Sequence, residues 1–145
     1  MDLDKYRNRD IGIVFQSYNL LPQFTAIENI ILSMDISNIK GIDKKEKAIE
    51  LMKRVGLDKT LANRRVLKLS GGEQQRIAIA RSLSYNPKII IADEPTGNLD
   101  KDTENDILKI FNKLAHEENK CVIIVTHSSN VCDSVDKIYD LKTNK

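Results

Sequence analysis

The chain has 145 residues, 41% of them apolar and 30% charged, with a formal net charge of +2. That length suits one domain with a real core, and Lys and Arg mixed evenly with Asp and Glu leave no basic stripe for a nucleic acid to follow. The two cysteines, Cys121 inside an apolar run and Cys132, argue against a disulfide framework and for a reducing compartment; no apolar run approaches a membrane span, and MDLDKYRNRD holds no signal-peptide core.

In chain order, residues 11–15 (IGIVF) predict a short buried strand interrupted by Gly12, with Gln16 just beyond it. Thr25 followed by Glu28 reads as a capping box that opens a helix, with Ile27, Ile30, Ile31 and Met34 on its buried side. Asp43 and Glu46 repeat the signal. The second helix buries Ala48, Leu51, Met52 and Val55, and Gly56 stops it. LSGGEQQRIAIARSL, residues 69–83, predicts a third helix with Ser70 and Glu73 as its capping box and Ile77, Ala80 and Leu83 on one stripe. Residues 88–93 read as a fully buried strand, with three isoleucines in a row and Asp93 at its end. Ile107, Ile110, Phe111, Leu114 and Ala115 mark a fourth helix. Residues 121–126 are a further β-branched strand with His127 after it, and 137–141 are a last short strand.

Uninterrupted apolar strands alternating with helices predict an α/β fold whose parallel sheet is covered on both faces. Residues 25–86 are almost all helix and read as a lobe on that sheet.

Three features carry chemistry. Ser70, Gly71 and Gly72 begin a helix, where unpaired amides and a partial positive charge meet flexible backbone, so a phosphate fits there. The same residues also read as a tight turn and a well-capped helix. Asp93 and Glu94 form a carboxylate pair at the C-terminal end of a strand, the edge at which open parallel sheets bind ligands. Asp93 suits Mg²⁺ and Glu94 suits the activation of water; the alternative is that Asp93 caps the following turn, marked by Pro95 and Gly97, and that Glu94 is solvated. Finally, if the strands are parallel, Gln16, Asp93, Glu94 and His127 emerge on one edge, as in metal-assisted phosphoryl transfer.

With those motifs in view, the chain resembles the nucleotide-binding ATPase subunits of ATP-binding cassette (ABC) transporters, nearest the lipoprotein-release and macrolide-export branch. The resemblance rests on IGIVFQSYNLLPQFTAIENI as the Q-loop region, LSGGEQQR as the signature, IIIADEPTGNLD as the Walker B strand with the D-loop, and VTH as the switch-histidine strand. It implies a P-loop NTPase (RecA-like) α/β core with an inserted helical subdomain: residues 1–24 and 87–145 as core, 25–86 as helical subdomain. It implies ATP and Mg²⁺ as cofactors. Asp93 and Gln16 would serve the metal, and Glu94, with His127 and Gln16, would serve catalysis. Ser70, Gly71, Gly72, Gln74 and Asp100 would serve the nucleotide, with Asn98, Leu99 and Asp100 linking two sites across a dimer. The implied partners are a second ATPase subunit and transmembrane permease subunits, with no nucleic acid, and the implied place is cytoplasmic, on the inner face of the membrane through the permease.

No GxxxxGK[ST] occurs in these residues. The expectation is therefore a core lacking its P-loop strand and a lone chain without a phosphate cradle, inactive by itself. An interaction or dimerisation module that hydrolyses nothing is the alternative. DNA-repair and chromosome ATPases share the signature, but this chain has neither their long coiled coils nor their cysteine modules. The resemblance places the missing strand beside residues 121–126. From the cost of an unpaired edge, one of three outcomes is expected: 137–141 closes the gap, which is preferred, a second copy pairs at the edge, or the C-terminus is poorly ordered.

Overall fold

The computed structural model describes Leu3 and residues 9–141. Three strands, β1 (Ile11–Phe15), β2 (Ile89–Asp93) and β3 (Cys121–Val125), form one parallel sheet in the order β1-β2-β3. The register pairs Ile11 with Ile89 and Ile89 with Cys121, so all three strands start and end level.

Between β1 and β2 the chain builds a helical lobe. Helix α1 (Ala26–Ile36) opens on Thr25, whose hydroxyl accepts from the Glu28 amide while the Glu28 carboxylate accepts from the Thr25 amide, the reciprocal box the sequence predicts. Helix α2 (Lys44–Arg54) opens on Asp43 and closes at Gly56, whose φ of +81° suits a residue without Cβ. Short 3₁₀ turns at Lys59–Leu61 and Val66–Lys68 lead into helix α3 (Gly71–Leu83). Ile30, Met34, Leu51 and Met52 seal the lobe interior. Helix α4 (Lys101–His116) then connects β2 to β3 and buries Ile107, Leu108, Phe111 and Leu114.

Helix α3 is more deeply enclosed than its predicted stripe implies. Besides Ile77, Ala80 and Leu83 it buries Gly72, Gln75, Ala78, Ile79 and Ser82, because it packs on α1 and α2 on one side and on β1 and α4 on the other. It is the beam shared by lobe and sheet.

Two expectations fail. Among the described residues the sheet is covered on one face only. Val14, Ile90 and Ala92 are buried under α3 and α4, but Ile13, Phe15, Ile123 and Val125 on the opposite face are 37–48% exposed, with no described element over them. Nor does the last strand form: residues 137–141 are irregular, with Ile138, Tyr139 and Leu141 in solvent, and β3 pairs with β2 alone among the described residues. The connection after β3 explains this. It winds into a single turn, α5 (Ser129–Cys132), pinned by the buried Val131 and by Asn130, whose amide donates to Glu104 and Asn105 of α4. The chain is thus anchored over α4, on the helix-covered face, and does not return to the free edge of β3.

Candidate functional site

Phe15, Asp93 and Val125 are partners across the three strands, so the chain leaves the sheet three times at one edge. Gln16, Glu94, Thr126 and His127 come together there for that reason alone, as parallel pairing requires. Glu94 sits at a φ of +44°, a conformation that costs a residue with a side chain. Its amide donates to the Val125 carbonyl at 2.8 Å. Its carboxylate accepts from the His127 amide at 2.9 Å and from the Thr126 hydroxyl at 3.3 Å. The His127 imidazole is wholly in solvent, its Nε2 3.8 Å from a Glu94 oxygen. Gln16 donates from Nε2 to Asn98 at 3.3 Å. Gly97 makes room for that contact, since a Cβ there would lie 2.6 Å from Gln16 Nε2. Asp93 ends β2 exposed at the same edge.

Ser70, Gly71, Gly72 and Asp100 form a second locus. Ser70 caps α3 by accepting from the Glu73 amide at 3.2 Å, and Asp100 caps α4 by accepting from the Thr103 amide at 3.2 Å. Among the described residues the predicted return bond from Glu73 is missing, and one oxygen of its carboxylate is buried without a partner. The glycines are also packing residues. A Cβ on Gly72 would stand 2.5 Å from Thr103 Cγ2, and one on Gly71 would meet Tyr18 at 3.0 Å and Leu99 at 3.5 Å. The starts of α3 and α4 therefore lie side by side. Gln74 folds back onto the Leu69 carbonyl at 3.0 Å.

Two residues of the site escape the sequence reading. Thr126, read only as the end of a strand, holds Glu94 with its hydroxyl and accepts from the Ser128 amide at 2.9 Å. Gln75 is fully buried and donates to the Pro95 carbonyl and, at 3.5 Å, to the Phe15 carbonyl, tying α3 to the ends of β1 and β2. The available signal was its place four residues before Ile79 on the buried side of α3.

The donor chemistry fits Mg²⁺. Among the described residues no three His, Cys, Asp or Glu side chains gather as a cage. Mg²⁺ needs none, since it keeps several waters and takes one or two carboxylates plus phosphate oxygens. Asp93, with the Gln16 amide at the same edge, meets that requirement.

Comparison with known proteins gives a consistent result. The family model described as ABC transporter matches residues 2–97. The chain is 45% identical over 134 residues to an uncharacterized ABC transporter ATP-binding protein, YclH, of Bacillus subtilis, covering 92% of this chain and 59% of that protein. It is 48% identical over 132 residues to the lipoprotein-releasing system ATP-binding protein LolD of Rickettsia felis, covering 91% of this chain and 59% of that protein. Among solved structures, the dimeric bacterial ABC transporter cassette MJ0796 superposes with a TM-score of 0.82 at 42% identity, covering 92% of this chain and 59% of that one. A post-hydrolysis dimer of MJ0796 bound to ADP and Pi superposes equally well at 41% identity. The chain thus spans 59% of the length of these relatives.

Proposed function

The chain belongs to the ABC transporter family and is related to its lipoprotein-release branch, and from that membership we propose that it supplies the metal- and water-handling half of an ATP-hydrolysing site in a transporter's ATPase subunit. The observation that carries this is the level register of Phe15, Asp93 and Val125, which delivers Gln16, Glu94 and His127 to one edge.

The proposed roles draw support from where these residues stand. Asp93 and Gln16 would hold Mg²⁺, which would screen phosphate charge. Glu94 accepts a proton from the attacking water. Thr126 and the His127 amide orient that carboxylate, and the exposed imidazole reaches the terminal phosphate. Ser70, Gly71 and Gly72 offer helix-start amides to a nucleotide held by a second subunit, with Gln74 supporting the turn from behind through Leu69. Asn98, Leu99 and Asp100 join the two sites, a role that fits Leu99 lying against Gly71. Residues 25–86 act as the helical subdomain and receive a segment of the membrane partners. No described helix is long and apolar enough to cross a membrane.

The test uses the chain mixed with the full-length Bacillus subtilis relative. Alone, the chain is expected to show no ATP turnover, because these residues include no GxxxxGK[ST] to cradle phosphates. Together, the two are expected to co-elute in Mg-ATP, to separate when EDTA removes the metal, and to fail to associate with Ser70→Arg. Association indifferent to ATP, or unaltered by Ser70→Arg, refutes the reading.

A further inference from the structure

Gln75, in the second turn of α3, is fully sealed from water. Its Nε2 donates to the Pro95 carbonyl and, at 3.5 Å, to the Phe15 carbonyl. Two carbonyls face this amide, so its NH₂ end must point at them and its oxygen must point away. That oxygen, Oε1, has no partner among the described residues. A buried acceptor without a donor is costly, and a methionine of similar length would leave none. What a methionine would lose is the hold on the two carbonyls.

Those carbonyls flank the site. Phe15 is the residue before Gln16, and its carbonyl also accepts from the Tyr18 amide at 3.2 Å. Pro95 follows Glu94, in a turn that the Gly97 amide closes on the Glu94 carbonyl at 3.2 Å. No backbone amide among the described residues donates to the Pro95 carbonyl, which leaves it Gln75 alone. The turn begins with Glu94 at a φ of +44°, a conformation that persists only where its surroundings hold it. The Val125 carbonyl holds this turn from β3, and Gln75 holds it from α3.

We propose that Gln75 is a positioning residue of the proposed site: one buried amide fixes the backbone before Gln16 and after Glu94, and so keeps Glu94 left-handed with its carboxylate on the His127 amide. Without that amide the Pro95 carbonyl turns toward water and the turn relaxes. The Glu94 carboxylate then loses its place relative to Asp93 and Gln16. The proposal rests on the reading of Gln16, Asp93 and Glu94 as the metal- and water-handling groups, and adds that α3 sets their spacing together with the sheet register.

NMR of the chain provides the test. Scalar coupling across the hydrogen bond is expected between Gln75 Nε2 and the Pro95 carbonyl carbon, and its absence overturns the proposal without any variant. In Gln75→Met the strong amide–Hα Overhauser effect within Glu94, the mark of a left-handed residue, is expected to weaken, and the His127 amide is expected to exchange faster. The Leu51 amide in the lobe should exchange as in the parent. An unchanged Glu94 and His127 overturn the proposal, and so does a uniform rise in exchange that includes Leu51, the mark of a merely structural residue. Mn²⁺, which suits the same carboxylate and water ligands as Mg²⁺, reads the site itself. Broadening of the Gln16 and Asp93 amides should need roughly threefold to tenfold more Mn²⁺ in the variant, the scale of one hydrogen bond's net contribution. An equal Mn²⁺ response in parent and variant overturns the positioning role. Mn²⁺ that broadens neither amide in the parent refutes the metal reading instead, and the coupling to Pro95 and the conformation of Glu94 still decide what Gln75 does.

Discussion

In the helical lobe Ile30, Met34, Leu51 and Met52 are sealed from water, whereas across the molecule Ile13, Phe15, Ile123 and Val125 stand in it. Both sets are large and apolar, and the difference lies in what each element has to pack on. Helices α1, α2 and α3 form a closed triangle, so each apolar stripe meets two others. The sheet has α3 and α4 on one face and nothing described on the other. Burial is therefore a property of layers and not of side-chain type. The lobe should behave as the rigid unit, and the outer sheet face as the part that seeks a cover.

The sharpest way to break that comparison is to cut a cavity in each region. Leu51→Ala, in the lobe interior, is expected to cost about 2–5 kcal/mol. Ile123→Ala, on the outer sheet face, is expected to fall within about 0.5 kcal/mol of the parent. Urea unfolding midpoints of the two variants check this directly, and equal losses would mean that the sheet face is covered in solution.

The next effect probes the seam between the regions. Gly72→Ala places a Cβ 2.5 Å from Thr103 Cγ2. Overpacking of this kind costs about 1–3 kcal/mol. Thr103→Ser deletes the offending methyl and keeps the hydroxyl, so the double variant should recover most of the loss. A Gly72→Ala variant as stable as the parent would show that the starts of α3 and α4 are not in contact.

These variants also mark what the sequence made legible. Helix starts at Thr25, Asp43 and Ser70 could be read because a cap is a local exchange between a side chain and an amide three residues on. The strands and their shared edge could be read because β-branched apolar runs have few other uses. The covering of the sheet could not, since it depends on partners that no local pattern specifies. The strand expected at 137–141 fails for a related reason: Val131 and Asn130 pin the preceding turn over α4. Within the site, Gln16, Glu94 and His127 were legible as residues following strands. Gln75 was hidden because a polar residue on a helix ordinarily faces water, and Thr126 because it looked like one more β-branched strand residue.

A smaller effect concerns association. The edge strand β3, CVIIV, carries no charge and no proline, and Ile123 and Val125 are exposed. Such edges recruit other strands. Ile123→Lys should slow concentration-dependent light scattering and reduce binding of an apolar dye, with little change in the urea midpoint. Faster scattering from Ile123→Lys would locate the sticky surface elsewhere.

The smallest effect separates the regions by pH. Asp58 begins the 3₁₀ turn of the lobe and accepts from the Thr60 amide at 2.8 Å. That bond, with the hydrogen bond to the Thr60 side chain and the nearby Lys59 ammonium, holds its carboxyl below the ordinary value of 3.8. The sign follows from linkage. The folded state holds its proton less tightly than the unfolded chain, so the contribution is complete above the unfolded value and is lost as pH falls through the lower folded one. The turn matters to the lobe because Ala62, just beyond it, accepts from the Ile27 amide at 2.9 Å and so braces the start of α1. Between about pH 5 and about pH 2, Asp58→Asn should therefore flatten the acid loss of lobe amide protection and leave exchange in β3 unchanged. A carboxyl titration of Asp58 by NMR with a midpoint at or above the ordinary aspartate value would remove the basis for this prediction. An equal change in β3 would show that lobe and sheet open as one unit.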